Sequence, residues 1–98
     1  MAAHYTEFEW DDYNSGKNLF KHNVTDNEIE QVFKNHYIKI QHKKYTDRHL
    51  ILGRTDGGRY LFMSIQHVSS KCCRPIHSRD METHELKKYK NIIGYRKN

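Results

Sequence analysis

HLILGRTDGGRYLFMSIQ, residues 49–66, decides the fold. An apolar run, 49–54, and an alternating run, 59–66, flank the turn residues TDGG. Two strand-like runs around such a turn form a β-hairpin, because the glycines supply the backbone angles that a tight turn requires. In the longer strand Leu61, Met63 and Ile65 recur every second residue and share one face. Outward from the hairpin, YIKIQH (37–42) also alternates and predicts a strand before it. CCRPIHS (72–78) predicts a weaker strand after the polar turn VSSK. Pro75 lacks an N–H for the ladder, which places this strand at an edge or on a bulge.

Helices bracket the strands. FEWDDYNSGKNLFKHN (8–23) begins extended and turns helical, with Asp11 or Asp12 as a cap and Leu19 and Phe20 as its apolar face. Gly16 weakens this helix, and Asn23 suits a left-handed end. TDNE (25–28) matches a capping box and opens a second helix with Ile29, Val32 and Phe33 on one side. DMETHELKKYKNII (80–93) predicts a last helix, capped by Asp80 and striped with Leu86, Tyr89 and Ile93. The expected fold class is α+β: two N-terminal helices, a four-stranded antiparallel meander sheet and a C-terminal helix. The sheet is expected to be covered mainly on one face, leaving the other face or one end free to bind.

The 98 residues fit a single domain, 1–98. Hydrophobic residues make up only 36%, so the 12% aromatic share must carry a lean core. The net charge of +5 is lopsided. Residues 1–48 hold 7 basic and 8 acidic side chains, a balance of −1; residues 49–98 hold 10 and 4, a balance of +6. A basic half favours a polyanionic partner such as RNA, DNA or an acidic protein. The acidic, polar start is unlike a signal peptide, and no apolar run approaches the roughly 18 residues of a membrane span. The adjacent Cys72 and Cys73 point to opposite faces of a strand and make no internal disulfide. A soluble, cytoplasmic protein without membrane contact is expected.

The fourth strand carries the densest chemistry. Arg74, His77 and Arg79 fall within six positions at its end. Arginine forks match phosphate geometry, and histidine exchanges protons near neutral pH. Cleavage of an RNA phosphodiester needs this set: a proton leaves the 2′-hydroxyl, the phosphorane is stabilised, and the 5′-oxygen is protonated. Arg74 and Arg79 are an odd number apart, so they converge only if the strand bulges or ends early; otherwise they are solvated arginines of an edge strand. Lys17 and Lys21, four apart on the first helix, and the neighbouring His22 form a second positive wall or a solvated face. Arg48 and Arg59 sit near hairpin ends, where either Arg59 reaches a substrate from a sheet end or both are solvated. Glu82 and Glu85 read as ion-pair and helix-dipole support. The remaining histidines are scattered, so neither a metal nor another cofactor is expected.

Three segments together resemble a known family. FEWDDYNSGKNLFKHNVTDNEIEQVF is similar to the opening of BrnT-type toxins through Trp10, Asp11, Lys17, Asn18, Lys21, His22, Val24 and Phe33, with Asn23 where the family carries glycine. DRHLILGRTDGGRYLF resembles the family's next segment through Arg48, Gly53 and Arg59. RPIHSRDMETHELKKY resembles its last through Arg74, Ile76, Arg79, Glu85 and Tyr89, departing at Pro75, His77 and Ser78. The resemblance implies a RelE-like ribonuclease fold and the toxin of a type II toxin–antitoxin pair. Such a toxin cleaves RNA without metal and blocks translation. It implies a BrnA-like antitoxin partner, with promoter DNA bound only through the antitoxin complex. On this reading Arg74 and Arg79 grip the scissile phosphate, Arg59 adds charge, and His22 or His77 moves protons. Lys17, Lys21 and Arg48 position the RNA. The alternative is a non-catalytic basic module that binds an antitoxin or nucleic acid, favoured by the three departures.

Overall fold

The computed structural model describes the backbone of residues 5–97 and the side chains of 5–94. In chain order the elements are β1 (Glu7–Phe8), α1 (Lys17–His22), α2 (Asp26–Val32), β2 (Ile38–Gln41), β3 (Arg48–Arg54), β4 (Tyr60–His67), β5 (Cys72–Asp80) and α3 (Thr83–Lys97). The 49–66 hairpin forms as β3 and β4, paired from Arg48↔Gln66 to Arg54↔Tyr60. Gly58 takes φ 89° at the turn, a conformation that disfavours any side chain.

The sheet is mixed α+β in context but has five strands, in the order β1-β5-β4-β3-β2. Strands β2 to β5 are the predicted antiparallel meander. The addition is β1, two residues that pair parallel with β5 at Glu7↔Cys72 and Phe8↔Cys73. Two residues are too few to show a period, so the extended start of this segment was legible but its pairing as a strand was not.

Both faces of the sheet carry apolar packing, which corrects the expectation of one covered face. On one face Ile51, Leu61, Met63 and Ile65 pack with Ile29, Val32 and Phe33 of the α2 segment and with Tyr5. The capping box that starts α2 is complete: Thr25 Oγ1 accepts from Glu28 N, and Thr25 N donates to Glu28 Oε1. Gly53 lets α2 lie close, because a Cβ there would run into Val32 Cγ1 and crowd Tyr37. On the other face Ile38 and Leu52 meet Tyr89 and Ile93 of α3, with Tyr60 and Phe62 partly covered. Thus α3 shields the β2–β3 side of this face, while its continuation over β4 and β5 bears polar and charged residues.

Two helix starts differ from the expectation. Asp80 does not cap α3; it ends β5, and its carboxylate accepts from Arg59, so the helix begins at Thr83. Asp11 and Asp12 do not cap α1, whose N-cap is Gly16 at φ 71°. Leu19 and Phe20 do not face the core but are exposed. The predicted left-handed end at Asn23 is present, at φ 56°. Cys72 and Cys73 are free thiols, and burial pushes the Cys73 thiol up to about 12.

Candidate active site

The register of β5 against β4 shifts between Ser64 and Ile65. Ser64 faces His77 and Ile65 faces Pro75, which leaves Ile76 as one extra residue. Such a bulge resets the alternation of side chains. Residues opposite one another in a ladder point the same way. Arg74 lies opposite Gln66, His77 opposite Ser64 and Arg79 opposite Phe62, so all three project from the sheet face that α3 only partly covers. The odd spacing of the two arginines is resolved by this one residue. Arg48, opposite Gln66 on β3, lies on the same face, with its guanidinium 4.5 Å from the Tyr45 ring.

Helix α1 lies along the outer edge of β5, held by two buried asparagines. Asn18 Oδ1 accepts from Ser78 N at 2.9 Å. Asn14 Nδ2 donates to the carbonyls of Glu9 and Pro75, each at 2.9 Å. These side chains satisfy backbone groups that a free strand edge would leave to another chain. Ahead of the helix, the Asp26 carboxylate accepts from Gly16 N and Ser15 Oγ.

This docking brings His22, the last residue of α1, against His77 of β5. Their rings are 5.1 Å apart between centroids and nearly perpendicular. Lys17 lies beside them, with Nζ 3.5 Å from the Ile76 carbonyl. Burial holds His77 below the ordinary histidine value, and the nearby charges of His22, Arg79, Lys17 and Lys21 push the same way. A proton is poorly held there, so His77 is neutral near pH 7 and can accept one.

Arg79 lies over the Phe62 ring at 4.2 Å and makes a two-pronged bond to Glu85, at 2.8 and 3.0 Å. Glu85 is buried, which alone would raise its pKa. The Arg79 bonds, the Glu82 N–H and the Arg79 charge outweigh this and hold the carboxyl below the usual range. Glu82 is also within 3.5 Å of Arg79, so the ion-pair role read for both glutamates is present.

Arg59 lies at the end of the sheet, where its guanidinium is engaged by the chain itself. Its Nε and Nη2 donate to Asp80 at 2.7 and 3.1 Å, and its Nη groups donate to the carbonyls of His22 and Asn23 at 3.0 and 2.5 Å. It therefore joins the end of α1 to the end of β5. A cation there also complements the C-terminal carbonyls of the helix. Arg74 likewise holds Asp11 through two bonds, at 2.7 and 3.0 Å, and approaches Glu9 at 3.3 Å.

The structure thus gathers His22, His77, Lys17, Lys21 and Arg79 around one spot. Arg74 and Arg48 lie further along the same face, and Arg59 stands behind as a tie. Asn14, Asn18 and Asp80 position the set, though none is a candidate site residue in the sequence: Asn18 stands among the residues of the family resemblance and Asp80 as a helix cap, while the one signal of Asn14 is an asparagine beside a helix, where it is a poor former. A cavity of about 400 Å³ between the hairpin turn and α3, lined by His36, Arg54, Asp56, Tyr60, Tyr89 and Lys90 among others, contains none of the predicted site residues. Compared with known protein families, residues 10–85 match the family described as ribonuclease toxin, BrnT, of type II toxin-antitoxin system. No curated protein matches the chain.

Proposed function

Because the chain belongs to the BrnT family of ribonuclease toxins of type II toxin–antitoxin systems, we propose that it is a metal-independent endoribonuclease whose reaction centres on His22 and His77. Neutral His77 takes the proton from a ribose 2′-hydroxyl. The 2′-oxygen attacks the adjacent phosphorus, and the bond to the 5′-oxygen breaks. His22 gives that oxygen a proton, so the products are a 2′,3′-cyclic phosphate and a free 5′-hydroxyl. Charge on the phosphorane is balanced by Arg79 and Lys17, with Lys21, Arg74 and Arg48 along the RNA backbone. Arg59 acts as a positioning residue, fixing His22 relative to β5 rather than touching the phosphate.

The observation that carries this reading is the histidine ring pair at 5.1 Å among the cations. Loss of messenger RNA would stop translation. The family supports an antitoxin partner; a BrnA-like protein that covers this face, and promoter DNA bound through that complex, belong to the same proposal. Incubating the pure protein with RNA in EDTA should yield fragments ending in cyclic phosphate. Replacing Arg79 by alanine should stop cleavage and growth arrest. That variant leaves Glu85 buried without its partner, so R79A/E85Q serves as the folded control. Full cleavage by a folded R79A/E85Q protein would remove Arg79 from the mechanism.

A second reading rests on a specific observation: Arg59, Arg74 and Arg79 all hold carboxylates already. The face would then bind an antitoxin or nucleic acid without catalysis. Intact RNA at high protein concentration, with binding retained, would decide for it.

A further inference from the structure

Phe20 is 95% exposed on the short helix that also carries His22. An isolated aromatic in water needs no special account, but the position of this one is constrained. Asn18, bonded to Ser78 N, and His22, against His77, fix which side of α1 faces β5. Successive residues turn by about 100° at 3.6 per turn. Around the helix from His22 the order is therefore Asn18, Lys21, Lys17 and then Phe20. That arc of about 200° leads from the histidine pair over two lysines to the ring, against about 160° the other way over Leu19. Phe20 thus stands on the side of α1 turned away from β5, with Lys17 one helical turn before it and no carboxylate on the helix.

We propose that Phe20 is a stacking platform for an unpaired base of single-stranded RNA, next to the nucleotide whose phosphate the lysines hold. This rests on the ribonuclease reading and names the form of its substrate. Backbone cations beside an exposed ring are the combination that single-stranded nucleic acid requires, because every base offers a flat face for stacking. A duplex would keep its bases from reaching the ring.

The test is fluorescence anisotropy with a single-stranded 2′-O-methyl oligonucleotide, which lacks the attacking hydroxyl and is not cleaved. Phe20→Ala should weaken binding about tenfold, the lower-middle range of one lost stacked base. Phe20→Trp should stay within about twofold of wild type, and Phe20→Leu should bind as weakly as Phe20→Ala. An abasic oligonucleotide should bind wild type and Phe20→Ala alike. Unchanged binding by Phe20→Ala overturns the proposal. So does full affinity in Phe20→Leu, which would mark a merely apolar contact of the kind an antitoxin side chain makes. In either case wild type that still cleaves RNA leaves the enzyme reading standing. Wild type that neither binds nor cleaves RNA sinks both. Thermal melting should be unchanged in each variant, because the side chain touches water.

Discussion

His77 illustrates how a single side chain is set by its surroundings. Burial and the neighbouring His22, Arg79, Lys17 and Lys21 favour its neutral form. If it is the base, the rate of cleavage should rise with pH through a midpoint below the ordinary value of about 6.5. His77→Gln should lose about 10²- to 10⁴-fold in rate and lose that rising limb. The same shift has a stability sign. The unfolded chain binds the proton more readily, so the contribution is full above about pH 6.5 and declines as the pH falls below it. Denaturant midpoints at two pH values on either side should therefore fall less on acidification in His77→Gln than in wild type. At this scale much was legible. The residue types that supply and accept protons stand out in the sequence, and so do Glu82 and Glu85 as partners. For Arg59 the partner was not legible, because a guanidinium reads the same whether it meets a phosphate or the carbonyls of a helix end; only the fold tells which is near.

Elements decide which of those residues meet. The hairpin, the capping box of α2 and the end of α1 at Asn23 follow from local chemistry that acts within a few residues, and each was readable. The bulge at Ile76 was foreshadowed by Pro75, since a missing N–H weakens the ladder there. Asp80 and Asp11 were read as helix caps because an aspartate before a helical run satisfies free N–H groups. Each instead pairs with an arginine distant in sequence, a competition that no local pattern reveals. The docking of α1 rests on Asn18, whose Oδ1 satisfies a buried backbone N–H. Asn18→Ala should cost about 1–3 kcal/mol, the usual penalty of an unpaired buried donor. It should also slow cleavage, because His22 would lose its fixed approach to His77. A calorimetric melt and a cleavage assay on the same sample check the pair of effects. Normal activity with a lowered melting temperature would show that the helix does not need this anchor to place His22.

For the whole molecule, charge distribution governs the encounter with RNA. Each phosphate contact to a single strand contributes about −0.7 to the slope of log affinity against log salt. Lys17→Ala and Lys21→Ala should each flatten that slope by about 0.7, measured between about 50 and about 200 mM salt. A slope unchanged in both would place the RNA elsewhere on the surface. The arginines carry a different consequence. Every one of Arg59, Arg74 and Arg79 is already matched by acids of the same chain. The protein thus brings its own competitor to each guanidinium, and a passing polyanion meets a gentler surface than the formal charge of +5 suggests. Tight engagement requires an exchange of partners, in which a phosphate displaces a carboxylate and the released acid finds water. Ligands that arrive without the geometry to drive that swap are let go.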